Sequence, residues 1–172
     1  MKAQISLNFA SQSGLHSFNY MDEADRFQQA GYGAVYPDKP TRNIIADAVA
    51  SCGISDTVDP KEYHVTMMYD VGNPSLYHPN PRMWHSATVK DAALFGPDND
   101  TLVLRLVSEG LSHRHQYLLS VGYRHSYPQY EPHLTIKLGA TEEDLIAVNA
   151  AIESGAFDAA LSFGKEAWEP IK

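Results

Sequence analysis

Two short runs hold the side chains best suited to chemistry, EYHVTMMYD from Glu62 to Asp70 and YEPHLTIKLG from Tyr130 to Gly139. Each contains a histidine, one apolar residue and a threonine, so that His64 and Thr66 recur as His133 and Thr135. Side chains alternate along a strand, which turns His64 and Thr66 one way and Val65 into the core, and treats His133, Thr135 and Leu134 alike. One such pair is an ordinary strand face. Two copies on equivalent strands of a duplicated fold would bring four polar groups together across a groove. That quartet suits phosphodiester cleavage. Two imidazoles that titrate near neutrality can serve as base and acid, and threonine hydroxyls can donate to the non-bridging phosphate oxygens as charge develops. No metal is required.

The elements that must position these groups follow from periodicity. Met21–Gln29 reads as a short helix capped by Asp22, and Tyr32–Tyr36 as a strand stopped by Pro37. Thr41–Cys52 has apolar residues at helical spacing with Gly53 behind it. EYHVTMMY, WHSATVKDAALF, TLVLRLV, PHLTIKLG and AALSFGKEAW read as strands, with GPDND as the turn between the second and third. SEGLSHRHQYLLSVG reads as a helix capped by Ser108, and TEEDLIAVNAAIESG as one with a capping box from Thr141 to Glu143 or Asp144. Mixed strands and helices predict an α+β fold with the helices outside. Each half contains a helix followed by a strand bearing His-x-Thr, a weak sign of internal duplication.

With 172 residues and 44% hydrophobic composition the chain can build one domain with a real core. A formal net charge of −8 argues against clamping long nucleic acid, which needs a basic face. A small anionic ligand needs only a few donors, and Arg114, Arg124, Lys137 and Lys165 are the cations weighed for its phosphates. The single cysteine, Cys52, reads as a small buried residue, and neither a signal peptide nor a membrane span is discernible. A soluble, cytoplasmic protein is expected. The His113–His115 run reads as a solvated helix face, no familiar metal-ligand spacing is present, and no P-loop or Rossmann motif occurs. No metal and no cofactor are expected. YRHSYPQYEP, before His133, is either a Pro-stiffened connection or a loop shaping the groove with Tyr127 or Tyr130 near a ligand.

HVTM and HLTI resemble the paired motif of the 2H phosphoesterase superfamily. With GAVYPDKPT, ALFGPDNDTLVLRL, RHQYLLSVGYRHSYPQYEPHLTI and WEPI, the chain is similar to the phage anti-CBASS nuclease family over roughly residues 30–172. Residues 1–29 then stand apart as an extension of unknown role. The resemblance implies a bilobal fold with two antiparallel sheets facing a central groove. It also implies degradation of the cyclic di- or trinucleotide signals of bacterial antiviral defence, in the host cytoplasm for a phage protein. His64, Thr66, His133 and Thr135 would be the catalytic quartet, and Tyr36, Phe95 and Trp168 the ligand contacts. Taken alone, Trp168 suits either base stacking or sealing a core. Two other functions compete. One is opening of 2′,3′-cyclic phosphates at RNA ends by an enzyme of the same superfamily, and the other is sequestration of cyclic nucleotides without cleavage.

Overall fold

The computed structural model describes residues 31–70, 79–127 and 129–171. The helix expected at Met21–Gln29, and whatever residues 1–29 do, lie outside the described residues. Strand β1 (Gly31–Pro37) leads into helix α1 (Lys39–Ser51), a single 3-10 turn (Pro60–Glu62) and β2 (Val65–Asp70). Then come β3 (His85–Phe95), β4 (Thr101–Val107), α2 (Glu109–Ser120), β5 (His133–Lys137), α3 (Glu142–Glu153) and β6 (Leu161–Pro170).

Local chemistry sets the helix ends. Helix α1 begins two residues before the expected Thr41, because the Asp38 carboxylate accepts from the Thr41 N–H and Pro40 sits in the first turn. There a missing N–H costs nothing. Ser108 caps α2 through the Leu111 N–H. In α3 the box closes on Asp144: the Thr141 hydroxyl accepts from the Asp144 N–H, and the Asp144 carboxylate accepts from the Thr141 N–H.

The six strands pair antiparallel in the order β1-β2-β5-β4-β3-β6 and close on themselves. Among the described residues closure leaves no open sheet edge, a standing hazard for pairing with other chains. The ring is two three-stranded sheets, β6-β1-β2 and β3-β4-β5, joined along two seams. At one, His85, Ser86 and Ala87 of β3 face Phe163, Ser162 and Leu161 of β6. At the other, β2 and β5 meet through Val65 and Leu134. The expected pair of sheets is present, and their edges meet.

Val65 and Leu134, both 0% exposed, belong to one apolar cluster with Ile45 and Val49 of α1, Leu111 and Leu118 of α2, and Val148 of α3. The helices therefore cover the outer face of the strands, and the polar alternates are left to the inner face. Among the described residues no helix is long and apolar enough to cross a membrane.

Candidate active site

The seam between β2 and β5 is where the two motifs meet. Val65 opposes Leu134 across an antiparallel pair, so stepping one residue either way puts His64 across from Thr135 and Thr66 across from His133. Opposed residues of such a pair have Cβ atoms about 4.5–5.5 Å apart. All four side chains are half-buried on the face opposite the core. Strand β4 extends this face, with Arg105 facing His133 and Val103 facing Thr135, and β3 places Asp91 against Arg105.

Each histidine is held by the carbonyl two residues before it. Nδ1 of His64 lies 2.9 Å from the Glu62 carbonyl, and Nδ1 of His133 lies 2.7 Å from that of Glu131. A carbonyl only accepts, so each Nδ1 carries the proton and each Nε2 is left for proton transfer. The turn Pro60–Glu62 before His64 and Pro132 before His133 bring these carbonyls round. Burial is the main cause that holds His133 below the ordinary histidine value; the His64 charge adds to it, while the Glu131 hydrogen bond and carboxylate oppose it. His133 is thereby favoured in its neutral form.

Aromatic rings surround the pair. Tyr32 lies 5.6 Å and Tyr36 6.4 Å from His64, and Phe95 packs edge-on to His133 at 4.9 Å. The Tyr36 hydroxyl donates to Glu169 at 2.7 Å, and burial, with that bond and the Glu169 charge, raises its pKa. Trp168 is placed differently. It packs on the hydrophobic core and on Tyr123, 5.7 Å away. It also lies so close to Gly31 that a Cβ there would come within 2.1 Å of its Nε1. The ring does not line the cavity described next.

A cavity of about 750 Å³ opens beside His133 and Thr66. Phe95, Tyr69, His125, Tyr127 and Tyr130 are among its walls. Tyr127 and Tyr130 were singled out from the sequence, whereas Tyr69 and His125 were not, because nothing local marks a strand-end tyrosine or a loop histidine as facing a cavity. None of the four cations weighed for phosphate lines it. Arg114 is committed to the buried Glu166 at 2.6 Å, and Lys137 to Asp144 at 2.8 Å. A cation that does share the motif face is Arg105, opposite His133, in two 2.6 Å hydrogen bonds to Asp91 and 3.7 Å from Glu131. The His113–His115 run is not a solvated face throughout. His113 is exposed, but His115 is 3% exposed, with Nδ1 2.7 Å from the Met67 carbonyl and its ring stacked on Tyr130.

The chain can be set beside known proteins. A family model described as anti-CBASS protein Acb1 matches residues 29–172. The anti-CBASS protein Acb1 of Vibrio phage KVP40 is 24% identical over 110 residues, which span 63% of this chain and 72% of that one. Among solved structures, E. coli LigT complexed with 3′-AMP has a TM-score of 0.49 at 16% identity, and LigT in apo form has 0.46 at 17%. Each alignment covers 84% of this chain and 95% of LigT. The match to the family model takes in both His-x-Thr strands and runs to the last residue, and the chain belongs to the anti-CBASS Acb1 family.

Proposed function

We propose that the chain is a metal-independent phosphodiesterase that hydrolyses cyclic di- or trinucleotides and so counters CBASS defence in the cytoplasm of an infected cell. The observation that carries this reading is the quartet across the β2–β5 seam, in which two histidines are oriented by matching carbonyls and each is opposed by a threonine. His133, biased toward its neutral form by burial, takes the proton of the attacking oxygen as the new P–O bond forms. His64 gives a proton to the leaving oxygen as the old P–O bond breaks. Thr66 and Thr135 donate to the non-bridging oxygens, where negative charge accumulates in the transition state. Phe95 and Tyr36 are proposed as ligand contacts beside the two histidines. The packing of Trp168 on Tyr123 favours a core role over base stacking.

The test is incubation of the protein in EDTA with cyclic dinucleotides, cyclic trinucleotides and 2′,3′-cyclic mononucleotides, followed by mass spectrometry. Linear products from the cyclic di- or trinucleotides, lost in His64→Ala and His133→Ala, are expected. Opening of the mononucleotides alone would assign the chain to RNA-end chemistry. Binding without cleavage would make it a sequestering module.

A further inference from the structure

His125 lies in the connection between α2 and β5, and its ring helps to line the cavity that holds Thr66 and His133. Its Nδ1 accepts the Tyr69 N–H at 3.2 Å. A nitrogen that accepts has no proton of its own, so the proton of this imidazole is on Nε2. That orientation is the reverse of the one imposed on His64 and His133, whose Nδ1 atoms donate. His125 is therefore a poor proton acceptor at Nε2, and a fixed donor there. Among the described residues no hydrogen-bond acceptor meets its Nε2–H, and the residue itself lines the cavity.

The surroundings indicate what that donor would meet. No lysine or arginine is among the described residues that line the cavity, and its one carboxylate, Glu131, would repel a phosphate. The walls are aromatic. Tyr127 lies 5.8 Å from His125 and 5.4 Å from Tyr69, and Tyr69 in turn stacks on Tyr32, the neighbour of His64. The rings form a continuous run from the catalytic face into the cavity. Burial, with the charges of His115 and His133 acting in the same direction against Asp70, holds His125 at a pKa of about 4, so it stays uncharged at neutral pH. A flat, uncharged group with an acceptor edge fits such a place, and a phosphate does not.

We infer that His125 is a substrate-recognition residue that donates Nε2–H to the edge of a nucleobase stacked along Tyr69 and Tyr127, while the adjoining phosphate occupies the quartet of His64, Thr66, His133 and Thr135. This rests on the cyclic-nucleotide function proposed above.

Two substitutions separate a ligand contact from a structural one. His125→Asn places an amide where Nδ1 stood, so it keeps an acceptor for the Tyr69 N–H and removes the Nε2 donor. His125→Gln reaches to the Nε2 position and gives up the Tyr69 contact. In a His64→Ala background, which stops turnover, calorimetry with 3′,3′-cyclic di-AMP and di-GMP should find affinity weakened about three- to tenfold by Asn. Gln should weaken it less while lowering the melting temperature more. Weak binding of inorganic phosphate, followed by NMR, should be the same in the parent and the Asn variant. A folded Asn variant with parental affinity for the dinucleotides, or with equally weakened phosphate binding, would overturn the assignment and leave the cyclic-nucleotide function standing. Failure of both cyclic dinucleotides and of a cyclic trinucleotide to bind either His64→Ala or His133→Ala would overturn that function, and the assignment with it.

Discussion

Acid should weaken this fold through its buried histidines, and His125 allows the effect to be sized. Burial first, and then the neighbouring histidine charges, depress its pKa from 6.5 to about 4. As pH falls below 6.5 the unfolded chain binds the proton and the folded chain does not, so stability drops with pH until about 4 and then levels off. At about 1.4 kcal/mol per pH unit the full difference is about 3 kcal/mol. One side of the ring faces an open cavity, and solvent screening there reduces the expected loss to about 2 kcal/mol. For a domain of this length that is a fall of about 4–8 °C in melting temperature. His85, His115 and His133 are lowered by burial as well and act in the same direction. Asp144 has its pKa lowered from 3.8, chiefly by Lys137, so its stabilisation is present above 3.8 and is lost only as pH falls below that value. Between pH 7.5 and 4.5 the comparison of melting curves with and without His125 isolates its share, because carboxylates that begin to titrate at the acid end are common to both proteins. His125→Asn, which cannot titrate and keeps an acceptor for Tyr69, should flatten the slope. An unchanged melting temperature across that range, or an Asn variant that tracks the wild type, would refute the reasoning.

On the proposed mechanism, loss of His64 or His133 should cost on the order of 10²–10⁴ in rate, with the double variant little worse than either single one; strictly multiplicative losses in single-turnover assays would speak against a coupled pair. The acid limb of kcat/KM should lie below pH 6.5, because His133, the proposed base, stays neutral to lower pH than a free histidine, and a limb above pH 7 would contradict that role. Gly31→Ala should destabilise by about 1–3 kcal/mol, since its Cβ would collide with the Trp168 indole; denaturant unfolding reads this directly. Arg114→Met should cost about 3–5 kcal/mol, because Glu166, whose side chain is 0% exposed, loses that charge partner. A loss below about 1 kcal/mol would mean that the pair contributes little.

The placement of the two motifs was legible in the sequence because it is written in residue types at strand spacing. Alternation alone put His64 with Thr66, and His133 with Thr135, on one face, and turned Val65 and Leu134 into the core. The strand Thr101–Val107 and the cap at Ser108 were also readable, since both depend on neighbours a few positions away. Everything that depends on partners distant in sequence had to wait for the tertiary structure. No local pattern states that β2 and β5 are adjacent, or that Val65 opposes Leu134 rather than a neighbour, yet a slip of one residue would have turned one motif into the core. The same limit explains Trp168, for which base stacking and core sealing were equally open from sequence, and whose packing on Tyr123 and close approach to Gly31 depend on distant partners. It explains the cations as well, for Arg114 and Lys137 are taken up by Glu166 and Asp144, while Arg105 stands beside His133. Lastly, His115 and His125 acquire depressed pKa values because the fold buries them, and their protons are placed by the Met67 carbonyl and the Tyr69 N–H of β2, far from them in sequence. Composition and spacing decide which groups a chain owns, and pairing across the fold decides which of them face each other, which are buried, and where their protons sit.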